Sequence, residues 1–285
     1  MSTNFPRRTA DVLAVLRRPR WIAYLLIAVL FGVLTANLGL WQWHRHGYKL
    51  DRRTLIEANY DGTPVPLNDI LTQPDTPLRH QDQWRRIEAV GSYAAADQHV
   101  IRNRPQFGVY GYEVLVPLVL ADGSAVAVDR GWVPNAADAA TLPDVPAPPS
   151  GQVTVIGWLR PSEPDLGRQL PAGQLASIDV PELASATGRT FLQAYVILAS
   201  ESPAPPTRPA ALEPPDTGLG SHFAYALQWW LTVPAGVILV VVMARQTARD
   251  ENGEQLVKAD AMRSGTSSGK RTKPKKVRIW DEEDA

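Results

Sequence analysis

The chain of 285 residues contains no cysteine. Disulfides, thiolate metal sites and a cysteine nucleophile are therefore excluded. Methionine is nearly as scarce: Met1, Met243 and Met262 all lie outside the long middle section. Copper carriers depend on soft sulfur ligands, so the middle section does not read as one. The sequence also lacks a GxSxG elbow, a Walker loop, an HExxH pair and a glycine-rich dinucleotide fingerprint. No nucleophile or acid–base pair can be named, and the chain reads as non-enzymatic. It has no internal repeat.

Two apolar stretches free of charge dominate what is there: Trp21 to Trp43, and Phe223 to Ala244. Each is long enough to cross the roughly 30 Å hydrocarbon core as a helix. The first is too long for the apolar region of a cleaved signal, about 7–15 residues, and no small-residue cleavage site follows Trp41, Trp43 and His44. It reads as a retained anchor. Arg7, Arg8, Arg17, Arg18 and Arg20 precede the first stretch. Arg245, Arg249, Lys258, Arg263 and the run Lys270, Arg271, Lys273, Lys275, Lys276 and Arg278 follow the second. They outnumber Arg45, Lys49, Arg52 and Arg53 on the other side, so both ends are expected in the cytoplasm. The zero net charge conceals a middle section, Gly47 to Gly220, with 13 basic and 20 acidic residues, a balance of −7. An acidic, membrane-tethered domain is a poor nucleic-acid binder, so the lipid bilayer is the expected surface. The resulting layout is a cytoplasmic segment 1–20, a span 21–43, an extracytoplasmic domain 44–221, a span 222–244 and a cytoplasmic tail 245–285. A bacterial plasma membrane is the favoured location, a mitochondrial inner membrane the alternative.

The middle section reads as β-rich, an α+β and largely antiparallel domain. Trp84 to Tyr93, Gln98 to Arg104, Tyr112 to Leu120, Ser124 to Trp132, Gln152 to Leu159 and Phe191 to Ala199 are strand candidates rich in Val, Ile and aromatics. Asp122-Gly123 is a hairpin signal, and Pro117 suggests a bulge or an edge in its strand. Tyr48 to Asn59 reads as a continuation of the first membrane helix. A short helix is expected from Pro181 to Thr187, stopped by Gly188. The proline-rich stretches are Leu142 to Pro149 and Pro203 to Pro215, and the second is expected to act as a stiff spacer. The polar tail from Thr247 to Ala285 has the composition of a disordered segment. Its basic cluster reads as a solvated tail before it reads as a lipid-binding one.

His80 and His99 stand alone in polar context and are expected at the surface. His44, His46 and His222 share one membrane interface under the expected topology. Tyr225 and Trp229, three and seven residues after His222, lie on its helix face. The cluster suits either a metal or porphyrin ligand or an aromatic belt formed by Trp41, Trp43, Tyr225, Trp229 and Trp230. On residue chemistry alone the belt is the better reading.

Four blocks stand out, in order: Gly39-Leu40-Trp41-Gln42 with Arg45 and Lys49; Gly111-Tyr112 through Asp122-Gly123 to Arg130-Gly131-Trp132-Val133-Pro134; Gly157-Trp158-Leu159-Arg160; and His222, Tyr225-Ala226 and Gln228-Trp229. Together they resemble the Surfeit locus protein 1 family of cytochrome c oxidase assembly factors. The chain has Asp129 where that family often has Asn, a change expected to add a charge to the hairpin. It has Gly220 and Ser221 where an Asn often neighbours the histidine. The resemblance implies assembly of a haem-copper terminal oxidase, with the core subunits and haem A synthase as partners and haem a as a transient cofactor. It makes His222 the candidate iron ligand, with Tyr225 and Trp229 beside it and His44 as the second histidine. A permanent accessory subunit without cofactor is the alternative. Gln42, Arg45, Arg130 and Trp132 are candidate partner or structural anchors. Asp129 and Arg130 must point to opposite faces of their strand. For Arg130 an internal carboxylate is the favoured partner, and a haem propionate the alternative.

Overall fold

The computed structural model describes residues 5–136 and 141–263. Among them are five helices: α1 (Phe5–Leu16), α2 (Pro19–Asn59), α3 (Val180–Thr187), α4 (His222–Thr232) and α5 (Ala235–Arg263). Eight strands accompany them: β1 (Val65–Pro66), β2 (Arg86–Tyr93), β3 (His99–Gln106), β4 (Val109–Leu120), β5 (Ala125–Pro134), β6 (Gln152–Pro161), β7 (Gln174–Leu175) and β8 (Phe191–Ser202). The chain divides into two units, Met1–Arg45 with Ser221–Ala285, and His46–Gly220.

The first unit is helical. Both α2 and the α4–α5 pair are long and apolar enough to cross a membrane. Only 22% and 11% of their most apolar windows are buried inside the protein, so neither is the core helix of a soluble fold. A stripe of small residues on α2, Ala28, Gly32, Thr35 and Gly39, recurs on one helix face. Ala28 packs beside Gly236, and Gly32 beside the backbone of Val233. Close approach of this kind, rather than a hydrophobic driving force, holds helices together in lipid. The buried Thr35 hydroxyl is satisfied by the Phe31 and Gly32 carbonyls. The second apolar stretch is interrupted: Pro234 has no N–H for the Trp230 carbonyl, so α4 ends and α5 begins there.

The tail departs from expectation. Residues 247–263 continue α5 instead of being disordered. Ala244 and Ala248 are buried in a cluster with Val15 of α1. Arg18 grips Glu251 through two hydrogen bonds, and Asn252 donates to Asp11. The polar composition concealed a helix face with partners on the N-terminal segment, which is itself helical. Residues 264–285, with the basic run from Lys270, lie outside the described residues.

The second unit is a closed, barrel-like sheet. Its order is β1-β2-β6-β8-β5-β4-β3-β7, and a further β2–β4 pairing closes a ring of β2, β6, β8, β5 and β4. Every pairing in that ring is antiparallel except β5 with β8. Strand β5 is buried on both faces. Val126 and Val128 enter one core with Ile87, Leu118, Val155 and Val196, while Ala125 and Ala127 enter another with Ile101, Leu115 and Leu183 of α3. The β4–β5 hairpin turns at Asp122-Gly123, with Gly123 at φ 85° and the Asp122 carboxylate accepting from the Ser124 amide. Pro117 lies where β4 leaves β3 and takes up β2. Its carbonyl accepts from the Ala94 amide, and the return bond to the Ala94 carbonyl is the one proline cannot make, so Pro117 sits where the β2 pairing ends.

Asp179 caps α3 by accepting from the Glu182 amide, and Gly188 ends it. The last turns of α2 belong to this unit, where Asn59 donates to the Gln81 and Gln83 carbonyls. Tyr60 stacks on Trp158, whose indole N–H donates to the Tyr60 carbonyl. Exposed His80 meets Asp51, but His99 is buried with Nδ1 at the Asp97 carbonyl. It starts β3, so its polar neighbours in sequence did not imply exposure. The stretch Pro203 to Pro215 is more than a spacer, because Ala210 exchanges both backbone hydrogen bonds with Trp132.

Candidate functional site

The helical unit brings two of the sequence-marked residues together. His222 opens α4, and its Nδ1 lies 2.8 Å from Oε1 of Gln42 on α2. An amide oxygen can only accept, so Nδ1 donates here and, in the neutral ring, Nε2 keeps its lone pair. That is the tautomer in which a histidine ligates a metal, with its other ring nitrogen donating to a fixed partner. The ring is half-buried.

The same pairing of helices explains Gly39. A Cβ there would overlap the Trp230 indole, so only glycine lets α4 lie this close. Trp230 in turn stands 5.9 Å from Trp43, which is 6.1 Å from Phe223. Tyr225 is exposed and Trp229 half-buried on α4. Arg45 and His44 are both exposed on α2. His44 does not join His222: it lies two residues past Gln42, about 200° around the helix. The expectation that both span ends share one interface was too coarse to fix the face, and Gln42 is the residue that meets His222. His46, four residues past Gln42, is the histidine on the Gln42 face.

In the barrel, Arg130 and Trp132 are internal. Arg130 is 2% exposed, with Nη2 2.8 Å from Glu201 Oε1, Nη1 donating to the Pro146 carbonyl, and its guanidinium 5.4 Å from the Tyr93 ring centre. The Glu201 charge and burial push the Tyr93 hydroxyl well above its ordinary range, burial being the larger cause. Trp132 donates its indole N–H to the Arg104 carbonyl. Gly131 between them sits at φ 125°, and a Cβ there would strike the Ala210 carbonyl. Glu201 is 71 residues from Arg130, and no local pattern marked it as the partner.

A second, half-buried cluster was also invisible in the sequence. Arg104 lies 3.1 Å from Glu113 and also grips Glu163, which accepts from the Ile178 amide. Asp129, 1% exposed, accepts from the Gly131 amide. Burial foremost, then the Glu113 charge, holds its carboxyl well above the usual range. The charge expected at Asp129 is therefore disfavoured by its surroundings. A protonated Asp has the shape and the donor–acceptor character of Asn, the residue often found there in the family it resembles. Burial first, opposed by Arg104, pushes Glu113 up to about 7.

Residues 29–232 match the SURF1 family. The chain belongs to that family. Uncharacterised SURF1-like proteins of Mycobacterium tuberculosis and Mycobacterium bovis are each 32% identical over 223 residues, covering 76% of this chain and 80% of the relative. A SURF1-like protein of Dictyostelium discoideum is 25% identical over 107 residues, 36% of this chain and 40% of its own length. The SURF1 match begins within α2 and stops at Thr232, the last residue of α4. It thus contains Gly39, Gln42, His222 and Trp230 together with the whole barrel, and leaves out α1 and α5.

Proposed function

We propose that this SURF1-family protein is a non-enzymatic assembly factor for a haem-copper terminal oxidase, receiving haem a at His222 on its way to the core subunit. The observation that carries this reading is the 2.8 Å contact between His222 Nδ1 and Gln42 Oε1, which leaves Nε2 as a free lone-pair donor. Neutral imidazole with a fixed tautomer is a good iron ligand, and iron ligation is what His222 would supply to the porphyrin. Gln42 orients the ring, and Gly39 admits the Trp230 indole that packs the helices beside it. Exposed Tyr225 and half-buried Trp229 offer aromatic surface to a lipophilic ring. The charge distribution supports both termini in the cytoplasm and the barrel outside; in a bacterial plasma membrane, the proposed location, the core subunit of the oxidase is the expected partner.

The test is the absorption spectrum of detergent-purified full-length protein titrated with haem. A saturable Soret band is expected for the native chain, and its loss in His222→Ala, with near-ultraviolet circular dichroism unchanged. Equal haem binding by the variant would return His222 to the aromatic belt. Stoichiometric co-purification with mature oxidase, without haem, would favour a permanent subunit.

A further inference from the structure

The barrel domain is acidic, yet it gathers three arginines around one cleft. Arg102, Arg104 and Arg168 line a depression of about 740 Å³ with Asn103, Glu163, Ser177 and the apolar side chains of Leu166 and Leu170. A regular strand sends consecutive residues to opposite faces, so Arg102, Asn103 and Arg104 should not all face the same space. They do because β3 is bulged. Its register with β4 shifts between Ile101 and Arg104, and Asn103 adopts φ 62°. Bulges of this kind re-aim side chains, and Asn is among the few non-glycine residues that take the left-handed conformation readily.

The three guanidinium groups are not equally engaged. Arg104 is spoken for by Glu113 and Glu163. Among the described residues Arg102 meets only neutral groups, donating to Gln174 at 3.2 Å and lying 6.0 Å from the Tyr112 ring centre. Arg168 is exposed and has no ion pair among the described residues. Two cations without carboxylate partners among the described residues, in a domain with an excess of seven acids, face one cleft. Planar guanidinium groups match the two oxygens of a carboxylate or phosphate. Leu166, Leu170 and Pro164 supply an apolar wall, and a cleft of this size suits a small molecule.

We propose that this cleft binds an oxyanion carried on an apolar stem, with Arg102 and Arg168 holding the charged group and Leu166 and Leu170 the stem. The site is separate from His222 and stands or falls independently of haem binding. Full-length protein in one detergent would be titrated with hexyl phosphate, hexanoate, inorganic phosphate and hexanol, and thermal stability read at each concentration. Comparison of variants in that detergent cancels partition into micelles. Hexyl phosphate or hexanoate is expected to raise Tm saturably, more than inorganic phosphate or hexanol, and less so as salt is added. The better of the two identifies the headgroup as phosphate or carboxylate. Arg102→Gln with Arg168→Gln should weaken binding by about tenfold or more, as expected for a lost charge-assisted hydrogen bond. Arg168→Gln alone changes an exposed side chain, and so keeps the test open if the double variant fails to fold. Equal responses to hexanol, or an unaltered affinity in both variants, would overturn the proposal.

Discussion

At the residue scale, two side-chain pairs carry different kinds of weight. His222 and Gln42 form an orienting pair, and removing the acceptor frees the imidazole to change tautomer. Gln42→Leu is expected to lower haem affinity by roughly 10–100-fold while sparing the fold, since partners of metal-ligating histidines contribute about that much. Haem titration of the purified variant checks this, and an unchanged midpoint would remove Gln42 from the site. Arg130 and Glu201 form a buried ion pair, side chains 0% and 1% exposed. Glu201→Ala strands a guanidinium in the core and should destabilise the protein by about 3–5 kcal/mol. Replacing both with apolar residues should recover much of that loss, which chemical denaturation of the single and double variants would show. A double variant no more stable than Glu201→Ala would mean the charge is not the source of the cost. Motif residues thus serve different ends: Gln42 and His222 face one another, whereas Arg130, Gly131 and Trp132 hold the barrel together.

At the element scale, Gly131 joins β5 to the proline-rich stretch at Ala210. Gly131→Ala meets both a positive φ and the Ala210 carbonyl, so a loss of about 1–3 kcal/mol is expected. Cleavage near Pro209 under limited proteolysis should rise with it, and an unaltered digest would deny the clamp. The strands themselves were readable beforehand. Each of the six long ones was marked by runs of branched and aromatic residues, and Asp122-Gly123 marked its hairpin, because those signals are local. Strands β1 and β7 have two residues each and left no periodicity to read. Helix α5 beyond Thr247 was missed because its support, Asp11 and Arg18, lies more than 230 residues away. The face of α2 was missed for a related reason: which residues meet across two helices depends on rotation, which hydropathy does not record. Periodicity could have separated His44 from Gln42, but only with a known partner for one of them.

At the scale of the whole molecule, the Glu113–Asp129–Glu163–Arg104 cluster couples stability to pH. The native state binds protons at Glu113 and Asp129 more tightly than the unfolded chain does. Between the ordinary Glu value of 4.5 and about 7, the native state therefore holds more protons, and stability falls as pH rises through that window. Unfolding of the full chain should show a higher Tm at pH 5 than at pH 8. Glu113→Gln should flatten the difference. Asp129→Asn should raise Tm at pH 8 more than at pH 5, since it supplies the neutral form outright. A pH profile that is unchanged in both variants would show that the acid cluster does not govern it.

The order of strands around the ring has a consequence for how the chain is made. The first strand of the ring, β2, pairs with β4 but also with β6, and β5 must find β8 across more than fifty residues. Hairpin β4–β5 is able to form as soon as it is synthesised, but the ring has a gap until β8 is complete at Ser202. Between Ser202 and His222 there is little chain left before the second apolar helix emerges. Closure is a late, long-range event of the kind that folds slowly. Until then the edges of β5 and β6 that β8 will cover stay open to the wrong partner. The growing chain is thus most vulnerable shortly before its second apolar helix is made, and mutations that delay β8 should be seen first as aggregation of newly made protein.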